Sequence, residues 1–318
     1  MKYSIITPVF NREDCVARCL DSVVENLKWG IEIEHIVVDD GSHDSTANIV
    51  QKYAMKYPHI HFIKFDKNRG TNAARNAAIT EATGDFCVIL DSDDYFVDDA
   101  IKSINDVVIP NSYLHYFFMP DDMVQLHQQW ELLKEKKFVV ITYEDLLLGR
   151  VDGDFVHVIN TAIIKKYPFD ENLRINEAVF FQRMHKEERE VLFVNQITTI
   201  RERGRKDSVS LTCSRSDRKA LERSIKASNY WIEWFGEDML RSEEGKITLY
   251  NHLNRVFNYS ILLSDYASAK HADNIMGKKG LGNPSFYLRV IYYLRLGWFY
   301  KFLGDIYVSL KRNFLDGE

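Results

Sequence analysis

The chain has 318 residues, 46% of them hydrophobic and 27% charged, with six prolines and a net charge of -5. That composition is globular and long enough for one large domain or two modest ones, and its negative balance excludes a general attraction to nucleic acid. Four cysteines occur without CxxC pairs, and Cys15 and Cys19, one helical turn apart, read as small apolar residues of a reducing cytoplasm without partners spaced for a metal site.

The chain opens on Met1-Lys2-Tyr3 and runs at once into a strand pattern, so no signal peptide is expected. Tyr3 to Thr7 reads as a strand ending at Pro8, and Glu13 to Leu27 as a helix with Val16, Cys19, Leu20, Val23, Val24 and Leu27 on one stripe. Glu34 to Val38 is a second strand, followed by candidate caps Ser42, Asp44 and Ser45 and a helix over Thr46 to Tyr57. Ile60 to Phe65 is a third strand, Asn68-Arg69-Gly70 a loop, and Thr71 to Ala82 an Ala-rich helix. Phe86 to Leu90 is the fourth strand. This alternation predicts an α/β fold with a parallel sheet, helices on both faces and ligands at the carboxyl ends of the strands, where Asp40, the Asn68 loop and Asp91 to Asp94 all fall.

Further along, the pattern predicts a strand over Tyr113 to Met119, a short polar helix over Gln125 to Lys136, a strand over Val156 to Ile164, and a helix over Ala178 to Lys186 with Phe180, Phe181 and Met184 for packing. From Ser216 onward the chain reads as mostly helical. No uncharged apolar run of eighteen residues predicts a transmembrane helix.

The fourth strand ends in Asp91-Ser92-Asp93-Asp94, three carboxylates within four residues. Residues i and i+2 of a strand point the same way, so Asp91 and Asp93 project together if the strand persists. Crowded carboxylates repel, and a hard divalent cation, Mg²⁺ or Mn²⁺, would relieve that repulsion through oxygen ligands. A strand followed by an acidic helix cap is the alternative.

Four motifs in order, Ile5-Ile6-Thr7-Pro8-Val9-Phe10-Asn11, Val37 to Thr46 with its Asp39-Asp40-Gly41-Ser42 core, Asn68-Arg69-Gly70 with Ala74-Arg75-Asn76, and Leu90-Asp91-Ser92-Asp93-Asp94, resemble the family 2 nucleotide-diphospho-sugar glycosyltransferases of bacterial surface-polysaccharide type. The match is strong over about the first hundred residues and weak to about residue 210. The resemblance implies a GT-A fold over residues 1–212, a helical region over 213–318, and an inverting, metal-dependent transfer from a UDP-sugar. Asp40 would accept a hydrogen bond from uracil N3–H, Phe10 would lie on the uracil ring, Asp91 would sit near the ribose, and Asp93 would ligate Mn²⁺ or Mg²⁺ at the diphosphate. Arg75 would support the diphosphate or the nearby carboxylates, and Thr7, Pro8, Asn68 and Ser92 would complete the nucleotide-sugar site.

The family's base motif is Glu-Asp with an aromatic three residues and an Arg six residues after the Asp. Asn176-Glu177 with Phe180 and Arg183 resembles it, Asn176 standing for the usual Glu and Glu177 for the catalytic Asp. Asp170 or Glu171 is the fallback base. Arg201 to Ser210 resembles the family's mobile basic loop, with Arg203 reaching toward the diphosphate. The tail from Phe286 to Leu303 interleaves aromatics with bases and reads as an interfacial membrane segment, a buried helix or a homo-oligomer contact. The resemblance thus implies transfer of a hexose or N-acetylhexosamine to a saccharide hydroxyl, carried on polyprenyl diphosphate, in lipopolysaccharide O-antigen or capsule assembly. The protein would be cytoplasmic and peripheral on the membrane. A polyprenyl-phosphate sugar synthase and a silent nucleotide-binding subunit are the rivals.

Overall fold

The computed structural model describes residues 1–109, 112–127, 129–173, 176–202 and 217–302, and the chain divides into two units, Met1–Arg205 and Lys206–Glu318. In the first unit, four short β-branched runs form the parallel strands β1 (Lys2–Val9), β2 (Glu32–Asp39), β3 (Ile60–Lys64) and β4 (Phe86–Ile89), hydrogen-bonded in the order β3-β2-β1-β4. They are joined by α1 (Val16–Asn26), α2 (Thr46–Lys56) and α3 (Thr71–Glu81). Strand order reverses between β1 and β4, the switch point where an α/β sheet opens a crevice outside its carboxyl ends.

Past β4 the sheet continues through β8 (Val156–Asn160), β6 (His115–Pro120), β9 (Glu190–Ile200) and β5 (Tyr95–Phe96), while β7 (Phe138–Thr142) also pairs with β9. β8 runs antiparallel to both β4 and β6, and β9 runs parallel to β6, so the parallel order of the first four strands gives way to a mixed half. The helices of this half are α4 (Ala100–Val108), α5 (Val124–His127), α6 (Tyr143–Leu147), α7 (Thr161–Lys166) and α8 (Ala178–Glu188). Side-chain alternation along β6 divides two cores. Tyr116 and Phe118 join Ile5, Val88, Ile101 and Ile104, whereas Phe117 and Met119 join Val139, Ile141 and Phe193.

Two predicted elements differ from those observed. The run Val156 to Ile164 is not one strand: it stops at Asn160, whose side-chain oxygen accepts the amides of Ala162 at 3.1 Å and Ile163 at 3.4 Å and starts α7. A cap of this kind contributes about 1 kcal/mol and overrides the β-preference of Ile163 and Ile164. The helix over Gln125 to Lys136 shortens to α5, because the chain turns at Trp130–Leu133 and passes through φ 58° at Glu135, a left-handed conformation no α-helix accommodates.

At the amino ends of the strands, far from the switch-point crevice, Glu34 is 3% exposed. Its carboxylate accepts from the amide and hydroxyl of Thr83 at 2.6 and 2.7 Å, the amide of Gly84 at 3.1 Å and the hydroxyl of Ser4, and pairs with Lys2 at 2.8 Å. Burial opposes its ionisation, yet these donors pull its pKa from 4.5 down to about 2. A depressed carboxyl stabilises the fold above its unfolded pKa and loses that contribution as pH falls toward the folded one. The stability difference between the wild type and Glu34→Gln in denaturant melts should therefore be about 3 kcal/mol near neutrality, shrinking from about pH 4.5 downward. A difference that stays constant to pH 2 would contradict the assignment.

The second unit is helical over its described residues, as the sequence predicts: α9 (Arg218–Met239), α10 (Glu243–Leu262), α11 (Tyr266–Lys279) and α12 (Phe286–Tyr293). Asp217, Ser242 and Asp265 cap the first three through side-chain oxygens. Leu288 is the one buried residue of α12, and Phe286, Tyr287, Val290, Tyr293, Leu294 and Trp298 are exposed. The expected domain boundary at 212/213, the basic-loop residues from Arg203 to Ser210 and the end of the tail at Leu303 lie outside the described residues.

Candidate functional site at the switch point

The end of β2 is tied to the loop before α3. Asp40, 3% exposed, accepts the amides of Arg69 at 2.6 Å and Gly70 at 2.8 Å, one on each carboxylate oxygen. Gly41 has φ +74°, and a Cβ there would lie 2.7 Å from the Lys67 carbonyl carbon and 2.8 Å from the Asn68 nitrogen. Only glycine allows this approach, which leaves Asn68 exposed above the strand ends. Phe10, just past β1, is partly exposed and meets His43 edge-on at 6.3 Å. Asp40 and Phe10 thus stand at the carboxyl ends of neighbouring strands, the Asp40 amide donating to the Val9 carbonyl at 2.8 Å.

Thr7 and Pro8 do not offer side chains to it. Both are buried within β1, and Thr7 Oγ1 lies 2.9 Å from His35 Nε2. Burial drops the His35 pKa to about 3, so this ring is neutral.

The acidic run departs from strand geometry sooner than the sequence predicts. β4 ends at Ile89 and Asp91–Asp94 forms a turn, the amide of Asp94 donating to the Asp91 carbonyl at 3.0 Å. The i, i+2 alternation therefore does not carry Asp91 and Asp93 to one point. Instead each carboxylate faces its own arginine: Asp91 and Arg75 at 2.9 Å, Asp93 and Arg12 at 3.8 Å, Asp94 and Arg201 at 3.6 Å. Burial opposes the ionisation of Asp91, but Arg75, with Arg201 and Arg12 behind it, holds its pKa below the usual carboxylate range. Ser92 is 6% exposed, and its carbonyl accepts from the Cys15 thiol at 3.8 Å. The half-exposed Asp91 and the 28% exposed side chain of Asp93 are oxygen donors of the kind a hard divalent cation takes, one or two carboxylates at a time with phosphate and water completing the shell. The donors this turn offers thus fit Mn²⁺ or Mg²⁺.

Arg75 links this turn to the predicted base. Its side chain is 12% exposed, and the second guanidinium nitrogen reaches Glu177 at 3.3 Å. Glu177 stands at the N-cap of α8 with a side chain 22% exposed. Both line a cavity of about 120 Å³ with Asp91, Asp154, His157 and Arg201. Arg201, at the start of the basic loop, is 9% exposed and collects Asp154 at 2.9 Å, Asp94 at 3.6 Å and Asp122 at 3.8 Å. The fallback bases lie in a turn outside that cavity's lining: Glu171 pairs with Arg69 at 3.1 Å and Asp170 accepts the Asn172 amide at 2.8 Å. Arg183 does not enter the cavity lining either. It donates to the Pro168 carbonyl at 2.8 Å and lies over the Phe180 ring, bracing α8 against the preceding loop.

Such an arrangement can take a proton from a hydroxyl at Glu177 and meet phosphate charge with guanidinium groups and a cation. Residues 4–116 match the family described as Glycosyl transferase family 2. A GalNAc(5)-diNAcBac-PP-undecaprenol beta-1,3-glucosyltransferase of Campylobacter jejuni is 27% identical over 222 residues, 68% of this chain and 69% of that protein. A poly(ribitol-phosphate) beta-glucosyltransferase of Bacillus spizizenii is 41% identical over 102 residues, 32% of this chain but only 16% of that much longer protein. The crystal structure of Staphylococcus aureus TarS 1-349 in complex with UDP-GlcNAc superposes with a TM-score of 0.64 at 18% identity, covering 100% of this chain and 93% of that one.

Proposed function

We propose that the chain, whose residues 4–116 match glycosyl transferase family 2, moves a hexose or N-acetylhexosamine from a UDP-sugar to a saccharide hydroxyl with inversion. The observation that carries this reading is Arg75, whose guanidinium joins Asp91 of the acidic turn to Glu177 across one cavity. Glu177 takes the proton as the acceptor oxygen attacks the anomeric carbon. The bond from that carbon to the UDP oxygen breaks, and one displacement inverts the centre. Arg75 keeps the Glu177 carboxylate oriented and Arg201 holds the Asp94 turn in place. Asp93 would hold a divalent cation, which would supply Lewis-acid neutralisation of the departing diphosphate.

The acceptor is a growing bacterial surface polysaccharide on a lipid carrier, with lipopolysaccharide O-antigen and capsule as the settings the sequence suggests. Support comes from the activities of the relatives, one on an undecaprenol-diphosphate-linked glycan and one on poly(ribitol-phosphate). Among the described residues no helix is long and apolar enough to cross a membrane. The exposed aromatics of α12 and beyond, with Arg289 and Arg295 between them, support peripheral contact with a lipid surface.

A panel of UDP-sugars read by UDP release with Mn²⁺ or Mg²⁺ tests the reaction, and absence of release from every donor would refute it. Calorimetry with UDP and GDP tests the uracil assignment. Asp40→Ala should weaken UDP by about 1–3 kcal/mol. Because Asp40 also holds the amides of Arg69 and Gly70, the ratio decides its role. Loss of UDP-over-GDP preference marks uracil reading, and equal weakening of both marks loop anchoring alone.

A further inference from the structure

Behind the cavity wall, three histidines and a glutamate from three elements meet in the interior of the first unit. His115 of β6 is 0% exposed, His185 of α8 is 4% exposed, and the Glu188 side chain is 1% exposed. His115 Nδ1 lies 3.2 Å from His185 Nε2 and 3.5 Å from a Glu188 carboxylate oxygen, and the three ligand atoms lie within 4.8 Å of one another. Neither Glu188 oxygen accepts a hydrogen bond. A buried carboxylate left so is strongly unfavourable unless a cation meets it.

We infer that His115 Nδ1, His185 Nε2 and the Glu188 carboxylate bind one divalent cation of the Zn²⁺ class, at a site separate from Asp93. Tetrahedral zinc with bonds of about 2.0–2.1 Å sets its ligand atoms roughly 3.3 Å apart, which matches the observed 3.2 and 3.5 Å. Two imidazoles with a carboxylate select this borderline ion over the hard Mg²⁺. His185 and Glu188 are three residues apart on α8, so they share a face.

The outer hydrogen bonds are those a metal-bound imidazole requires. A histidine ligating through one nitrogen donates its other N–H to an acceptor, which fixes the tautomer. His115 Nε2 lies 3.0 Å from His157 Nδ1, and His185 Nδ1 lies 3.3 Å from Gln182 Oε1. The Gln182 amide is itself oriented, its nitrogen donating to the Tyr143 carbonyl at 3.1 Å. His157 stacks on Phe181 at 4.1 Å and lines the cavity. A cation here fastens the carboxyl-terminal end of α8 to β6, and α8 carries Glu177 at its other end.

The test uses the full chain without a histidine tag, dialysed against metal-free buffer and assayed by plasma mass spectrometry. Wild type should retain about one zinc per chain, and Glu188→Gln and His185→Gln less than about a tenth. Asp93→Ala should keep its zinc. Dipicolinate should lower the wild-type melting temperature, Zn²⁺ should restore it and Mg²⁺ should not, while both variants stay insensitive. A wild type that holds no tight metal and melts unchanged with Zn²⁺ would overturn the site in favour of a metal-free His115–Glu188 contact. Zinc retained in both variants, or lost in Asp93→Ala, would overturn it equally. Should a variant fail to fold, zinc-edge X-ray absorption of the wild type decides, since two imidazoles with oxygen support the site and sulfur ligation refutes it.

Discussion

Glu177→Gln should lower sugar transfer by about 10²–10⁴-fold while leaving UDP affinity nearly unchanged. The amide preserves shape and can still face the Arg75 guanidinium, 3.3 Å away in the wild type, but it accepts no proton. Arg75 retains Asp91 at 2.9 Å, so the acidic turn should keep its place in the variant. Glu177→Asp should retain partial activity, because the shorter arm withdraws the carboxylate from the cavity that Glu177 lines. Initial rates with saturating donor, alongside calorimetry with UDP, separate the effect on turnover from any effect on binding. A Glu177→Gln enzyme with wild-type turnover would remove the base assignment. It would favour transfer to an acceptor already anionic, as a polyprenyl phosphate is, because such an acceptor has no proton to give up.

The fold and the site were legible in the sequence to different depths. The first four strands could be read because each is a short β-branched run closed by polar or turn residues, and a parallel sheet buries such runs on both faces. Reading the ends of those strands also placed Asp40, Asn68 and Asp91 to Asp94 on one side of the sheet, since topology alone sends carboxyl ends there. Side-chain direction was harder. Thr7 belongs to the right motif but faces His35 inside the sheet, and Asp91 and Asp93 diverge because the strand stops two residues before the first of them. Periodicity is informative only while the regular element lasts.

Long-range charge pairing was not legible at all. Nothing near Arg12 or Arg201 in sequence says that they will face Asp93 and Asp94, because those partners lie across the sheet or more than eighty residues away. The histidine cluster was hidden for the same reason: His115, His157 and His185 come from β6, β8 and α8 and lack any local metal-ligand spacing. In the mixed half, β7 and β9 went unread because Phe138 to Ile141 and Val191 to Val194 are brief apolar runs that a buried helix turn fits equally well. Their pairing with each other, fixed by tertiary contact, decides between the two.

Asp93→Ala should reduce transfer by at least about 10³-fold, the loss expected when several kcal/mol of charge stabilisation at a leaving diphosphate disappears. Asp93 is the member of the acidic turn that the family resemblance assigns to an incoming cation. Its side chain is 28% exposed and lies 3.8 Å from Arg12. Asp91 is held at 2.9 Å by Arg75, and Asp94 lies against Arg201, itself committed to Asp154 at 2.9 Å. Removing Asp93 should leave the fold intact, because the residue lies past the end of β4 and contributes nothing to either core described above. Its melting temperature should match the wild type, and Mn²⁺ should no longer tighten UDP binding in calorimetry. Chelation of the wild type should reproduce the loss of transfer, and once Zn²⁺ has refilled the interior histidine site Mn²⁺ or Mg²⁺ should restore it. Full transfer in the presence of EDTA would mean that the arginines alone neutralise the diphosphate. Asp93→Ala would then act through Arg12, and Arg12→Ala should produce the same defect with no response to metal.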